Sequence, residues 1–357
     1  SDEKTFTNEG QFSDVYRQFK SQNSNLYFTG KAVDEKLSFT IQMDYSSTDP
    51  LVEAFIGYHI SENITLYIGQ MQVYHNNLEM TQNEDQLRFT NRGLTSQIFT
   101  ENGEEFGLFL ETRFGNSFVI EPKLAITSGD GRNSFGDDSR DSDKGGVKFG
   151  SRVNIYPLGE FASGNKESTV DLIGEQKLKA QIGFAFSKNI GASNLVGDGH
   201  GDFIMYDNLG NEKFPDYSQL FFDLNLKYKG FSFVFEYADS FASGLNNLYT
   251  DTNLTILQPS QISEYLVLGD SQGIQFGYLT KSGYSLDFIY EQFNPEFDLN
   301  TNSILNKSSN LGVGISKYLV GNKLKLQTSI FKTNHENSFG LQDDEFMSAS
   351  FVVTIAF

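Results

Sequence analysis

Arg88 and Arg92 stand four residues apart in "EMTQNEDQLRFTNRG" (79–93), a polar run that also carries Glu79, Glu84 and Asp85. Guanidinium groups grip phosphate and carboxylate bidentately. Glu84, Asp85, Arg88 and Arg92 are therefore candidates for the constriction of a passage that meets anions. The alternative is that the same arginines salt-bridge Glu79, Glu84, Asp85, Glu101 and Glu104, and hold the loop in shape.

A second constellation is spread along the chain. Glu111, Arg113, Glu121, Lys123, Lys148, Arg152 and Lys179 all fall on the polar face of two-sided segments. Opposed charges across an aqueous pore create a transverse field that orders dipolar solutes, whereas cross-strand pairs stabilise the wall. Both readings make these residues pore-lining candidates.

Other chemistry is thinly represented. The acidic stretch "TSGDGRNSFGDDSRDSDKGG" (127–146) has the carboxylates that hard cations favour but lacks the EF-hand spacing, and reads as a solvated loop. "GDGHGD" (197–202) has no strand-then-helix context for a phosphate cradle and also reads as loop. Histidine occurs only as His59, His75, His200 and His335, and no G-x-S-x-G, H-E-x-x-H or G-x-x-x-x-G-K-[ST] signature is present. The expectation is no enzyme, no catalytic residues, no metal and no cofactor.

These residues must be positioned by something, and the period-two pattern says by what. "SFVIEPKLAIT" (117–127), "LKAQIGFAFS" (178–187), "SQLFFDLNLKY" (218–228) and "KLKLQTSIF" (323–331) each place apolar residues on one face and every charge on the other. Such strands run to about 10–13 residues, near the ~9–11 that cross a bilayer when tilted and well above the ordinary ~5–6. Tight turns at Gly115-Asn116, Lys229-Gly230, Ser282-Gly283 and Gly321-Asn322 alternate with long polar segments at 77–103, 129–145, 191–216, 243–270 and 297–307. Short turns on one rim and long loops on the other are the arrangement of an outer-membrane barrel.

Composition agrees. The 357 residues are only 38% hydrophobic yet include 34 Phe and 17 Tyr, and no run approaches the roughly 20 apolar residues of a membrane-spanning helix. There is no cysteine, and the net charge of −19 argues against a nucleic-acid partner. A start at Ser1 without Met suits an exported chain whose signal peptide has been removed.

The expected fold is all-β: a single transmembrane antiparallel β-barrel over 1–357, with short periplasmic turns and long extracellular loops. The expected strands are 10–20, 24–34, 36–47, 51–61, 64–76, 104–115, 117–128, 146–158, 178–189, 217–228, 231–242, 271–281, 284–296, 308–320, 323–335 and 345–357. That makes sixteen, with fourteen as the alternative if 10–20 is a short helix. The terminal run "SASFVVTIAF" (348–357) would pair with the first strand, placing Phe357 in the aromatic belt. One connection breaks the pattern, because 159–177 is long yet lies on the tight-turn side. A barrel of about sixteen strands encloses water, while one of about eight fills its own interior.

At "LVEAFIGYHISENITLYIGQMQVYHNNLEMTQNEDQLRFTNRG" (51–93) the chain resembles the phosphate-selective porins O and P of Gram-negative outer membranes. "GVKFGSRVNIYPLGEF", "KLKAQIGFAFSKN", "YSQLFFDLNLKYKGFSFVFEY" and "LGVGISKYLVGNKLKLQTSIF" resemble later parts of that family, so the likeness runs from about residue 24 to the end. It implies a sixteen-stranded homo-trimeric porin with a long loop, here 77–103, folded into the pore as its constriction. The departure is charge: that family's anion selection is attributed to Lys and Arg ladders, whereas this chain has 27 Lys plus Arg against 46 Asp plus Glu.

The expected function is a passive diffusion channel for small hydrophilic solutes or ions, broad or weakly selective, with room for anion or phosphate passage but no strong phosphate selectivity. The alternative is a non-transport accessory or structural barrel of a larger outer-membrane complex. Expected partners are membrane lipid and lipopolysaccharide, small hydrophilic solutes, other copies of the chain and other outer-membrane proteins, with no nucleic acid.

Overall fold

The computed structural model describes residues 21, 23–33, 35–101, 103–134, 146–199, 201–251, 255–297, 304–336 and 344–356. Sixteen strands form one antiparallel sheet. They are β1 (Asn25–Ala32), β2 (Leu37–Asp44), β3 (Leu51–Ser61), β4 (Ile64–Gln72), β5 (Glu104–Thr112), β6 (Phe114–Gly115), β7 (Val119–Thr127) and β8 (Lys148–Tyr156). There follow β9 (Lys179–Asn189), β10 (Asp216–Tyr228), β11 (Phe231–Ser243), β12 (Gly269–Leu279), β13 (Tyr284–Pro295), β14 (Ser308–Val320), β15 (Leu324–His335) and β16 (Asp344–Ile355). A short helix, α1 (Leu94–Phe99), lies in the β4–β5 connection.

Every strand pairs with its sequence neighbours, except that the two-residue β6 pairs with β7 as a broken continuation of β5. Thus the expected strand 104–115 is one ribbon interrupted at Arg113. The other expected strands from 24–34 to 345–357 each have an observed counterpart. The strand expected at 10–20, like Phe357, lies outside the described residues. Among the described residues β1 and β16 are the margins of the sheet. The sheet curls into a barrel, since the β4–β5 connection reaches side chains on β11, β13 and β15.

Its solvation is inverted. Phe184, Leu220, Phe276, Phe288, Leu311 and Ile315 point outward and are exposed, while Asp223, Lys227, Asp287 and Lys325 alternate with outward residues and are buried. A water-soluble sheet hides its apolar face; a sheet that shows it belongs in lipid. Among the described residues no helix is long and apolar enough to cross a membrane.

Connections alternate as expected. Lys229 and Gly230, at φ 50° and 87°, make the two-residue β10–β11 turn, which needs positive φ at both positions. On the opposite rim, β4–β5, β9–β10 and β11–β12 are joined by long segments.

Candidate functional site

The site begins where β4 ends. Gly103, at φ 89°, fixes the base of the 73–103 loop, its carbonyl accepting from Val73 N and Gln72 Nε2, both at 2.9 Å. A side chain there would press on Met80 and Gln72. Two 3₁₀ turns, Glu79–Thr81 and Glu84–Gln86, compact the middle of the loop. Arg92 staples them: Nε donates to Glu84 Oε1 (2.8 Å), Nη1 to the Glu79 carbonyl (2.7 Å) and Nη2 to the Gln82 carbonyl (2.9 Å).

The loop then crosses the barrel. Asn77 Nδ2 donates to Glu236 on β11 (3.0 Å), and the amides of Leu94 and Thr95 donate to Glu291 on β13 (2.7 and 3.2 Å). On β15, Lys325 Nζ and Gln327 Nε2 donate to the Leu87 carbonyl at 2.7 and 3.2 Å. Apolar pins accompany these bonds. Phe99 packs edge-on against Phe221 and Phe293, with centroids 6.3 and 5.9 Å apart, and Phe89 lies 5.7 Å from Phe331.

Glycines on inward faces make room for the loop. An added Cβ at Gly150 would overlap the ring of His75, and one at Gly277 would overlap Asp287 and crowd Arg88. Glycine inside a strand is the residue that permits such close approach. Burial pushes the His75 imidazole well below its ordinary range, and among the described residues neither ring nitrogen has a hydrogen-bond partner.

A second segment enters from the tight-turn rim. The 157–178 connection offers the Asn165 and Ser168 carbonyls to Lys227 Nζ, the first at 2.7 Å, and the Thr169 carbonyl to Arg88 Nη2 at 2.7 Å. Its outer end is tied by Glu160 to Arg113 and Lys166, both at 2.6 Å. The hydrogen bond from Arg113 is the main reason the Glu160 carboxyl is pulled down to about 2. Sequence reasoning noticed the length of this connection but gave it no role. For the β4–β5 loop a signal was present: Phe221 sits among Gln219, Asp223 and Asn225 on a polar face, a position an apolar ring takes only if something covers it, here Phe99.

The residues singled out from the sequence fall into three groups. Arg88 is sealed inside, bonded to Thr169 and Ser232 and 3.9 Å from Asp287, so it does not present its guanidinium to a passing anion. Arg92 and Glu84 pair with each other, and Asp85 lies on the same turn, its carboxyl raised by burial. The proposed charge ladder resolves into local pairs: Lys123–Glu111 (2.8 Å), Arg113–Glu160, Lys148 with Glu105 and Asp198 (2.7 and 2.8 Å), and Arg152–Asp223 (2.6 Å). Glu121 faces inward opposite Asn154, and Lys179 donates to the Leu158 carbonyl at the rim. Most of 127–146, and His200 of the "GDGHGD" run, lie outside the described residues.

Between the loop and the β1–β5 wall is a cavity of about 460 Å³. Asp44, Glu53, Glu84, Glu101 and Glu104 line it, with Arg92 and Arg132 as its cations. A larger cavity of about 840 Å³ opens above α1, more apolar, with Ile98, Leu195 and Leu305 in its wall. The two share Gln97, Thr100 and Glu101, so they abut at the C-terminal end of α1.

No known protein family and no curated protein matches this chain by sequence. Solved structures do. The outer membrane channel DcaP of Acinetobacter baumannii superposes with a TM-score of 0.53 at 12% identity, over 96% of this chain and 89% of DcaP. The fold is that of an outer-membrane channel barrel. Lower-scoring likenesses add nothing to that assignment of fold. They include the loop L8 deletion mutant of OmpT, an outer membrane protein of Vibrio cholerae (TM-score 0.47, 10% identity, 93% and 88% covered). Another is OpdQ of Pseudomonas aeruginosa (0.43, 11%, 98% and 94%).

Proposed function

We propose that the chain is an outer-membrane porin, a passive diffusion channel for small hydrophilic solutes or ions, with the 77–103 stretch as its constricting loop. The observation that carries this reading is the polar cavity left between that loop and the β1–β5 wall, inside a sheet whose apolar face points outward. A tube that is apolar outside and polar inside has a wet interior to offer solutes. In this reading Glu84 and Arg92 border the narrowest passage, and Asp85 and Arg88 hold the loop's inner side. Glu111, Arg113, Lys123, Lys148 and Arg152 line the wall as paired charges, with Glu121 and Lys179 beside them.

The same reading makes 1–357 one barrel, exported to the outer membrane, set among lipid and lipopolysaccharide and assembled as a homo-trimer. A relationship to the phosphate-selective porins O and P rests on the stretches quoted above. Strong phosphate preference is not part of the proposal, because Arg88 is internally bonded, Lys123 and Lys148 are neutralised by carboxylates, and Lys227 and Lys325 are spent on backbone carbonyls.

Purified protein reconstituted in planar bilayers should give stepwise conductance, and silence in every salt and voltage tried would remove the proposal. A second reading, an accessory barrel of a hetero-complex with other outer-membrane proteins, draws on the crowding of the lumen by 73–103 and 157–178. Gentle extraction followed by mass determination separates the two: a homo-trimer supports the porin, a hetero-complex the accessory barrel.

A further inference from the structure

The acidic cavity has acceptors left over. Among the described residues Glu104 Oε2 is buried without a hydrogen-bond partner, and Gln82 Oε1, from the loop side of the same cavity, is in the same state. Both are oxygen acceptors, and an orphaned buried acceptor keeps its full desolvation cost until a donor arrives. Around them the charge is uneven. Glu84 is already matched by Arg92 at 2.7 Å. That leaves Asp44, Glu53, Glu101 and Glu104 facing one remaining cation of the lining, Arg132. Glu53 Oε1 accepts only a backbone amide, from Gln72 at 2.9 Å, and Glu101 Oε2 accepts from Asn194 Nδ2 at 3.0 Å, so neither is neutralised there. Like charges crowded in one site disfavour one another, and a counter-cation relieves them.

A chelated metal is the wrong occupant. Among the described residues no three carboxylate or imidazole side chains converge closely enough to hold a metal ion. The acceptors instead surround a cavity of about 460 Å³, room for a diffuse cation with several N–H donors. The larger cavity abuts it at Gln97, Thr100 and Glu101, and there Ile98, Leu195 and Leu305 can cover a short alkyl chain.

We propose that this cavity is a binding site for protonated amines, ammonium or guanidinium groups, held by Glu104, Glu53 and Gln82, and that it makes the channel cation-preferring. This rests on the porin reading for its transport consequence and stands apart from it for binding. Simple alkali cations and organic amines share the chemistry, and the test separates them.

Spermidine is added to one side of the reconstituted wild-type channel while the reversal potential is read in a KCl gradient. The expected results are a potential of the sign for K⁺ over Cl⁻ and a concentration-dependent block by spermidine. In Glu104→Gln and Glu53→Gln, the block should weaken and the K⁺/Cl⁻ ratio fall by roughly threefold per charge, the factor a unit charge commands at about 6 Å in water. Asp207→Asn, in an exposed turn that lines neither cavity, should leave both unchanged. K⁺ preference without spermidine block would overturn the amine site, and Cl⁻ preference would overturn the cation preference. If the wild-type channel is silent, calorimetric titration of spermidine into the detergent-solubilised protein decides. Heat lost in Glu104→Gln keeps the site and removes the porin, while no heat in the wild type overturns the site as well.

Discussion

Arg88 Nη2 lies 2.7 Å from the carbonyl oxygen of Thr169, so two connections that enter the barrel from opposite rims touch inside it, near the tight-turn end of β11. The long loop brings the donor and the anomalous tight-side segment brings the acceptor. The guanidinium also bonds Ser232 Oγ at 2.9 Å and lies 3.9 Å from Asp287. It joins the two inward segments to the wall.

Arg88→Ala removes that junction and leaves Asp287 buried without its cation. Breaking one partner of a buried pair costs about 3–5 kcal/mol. Urea unfolding in detergent should show a loss of that order, with Arg88→Ala/Asp287→Ala recovering part of it. Additive losses in the double variant would mean the two side chains do not interact.

The socket under His75 makes a size-exchange test. Gly150→Ala puts a methyl group where the imidazole sits, an overpacking that costs about 1–3 kcal/mol. Adding His75→Ala should return much of that loss, and single-channel current noise, raised in Gly150→Ala, should subside. A Gly150→Ala protein as stable as wild type would place His75 elsewhere.

Replacing 163–174 by a short glycine linker should raise unitary conductance, because the segment lies against Lys227 and Arg88 inside the lumen. Unchanged conductance would mean that the segment does not narrow the conducting path.

The tie at Glu160 carries a pH window. Its carboxyl is held at about 2 against an ordinary 4.5, chiefly by the Arg113 hydrogen bond. A depressed acid stabilises above its unfolded value, and that contribution fades as pH falls from about 4.5 towards about 2. An acid-active protease should therefore spare 157–178 at neutral pH and cut it progressively through that window. Glu160→Gln should be cut faster than wild type by a neutral protease at about pH 7; equal resistance would sink the tie.

The strands were legible because alternation is a two-sided chemical demand: Leu220, Phe222 and Leu224 must meet lipid while Gln219, Asp223 and Asn225 must not. Turns were legible through Gly230 and Gly283, where positive φ is required. The interior was harder to read. Arg88 and Arg92 have the same sequence signature, yet one is buried at the junction and the other staples its own loop, a difference set by partners more than 70 residues away or within 13. Gly150 and Gly277 looked like ordinary strand glycines until the loop was laid over them. Phe221 and Phe293, rings on inward faces, were the available hint that the lumen is packed on that side, and they pair with Phe99 from α1.

The chain has no cysteine, so a single thiol reports without background. Asn83 lines the acidic cavity at the edge of the loop. Asn83→Cys, reconstituted in a planar bilayer and exposed to a charged methanethiosulfonate reagent, should lose current in discrete steps as each channel is modified. Complete modification by mass with the current unchanged would mean that solutes do not pass beside the loop.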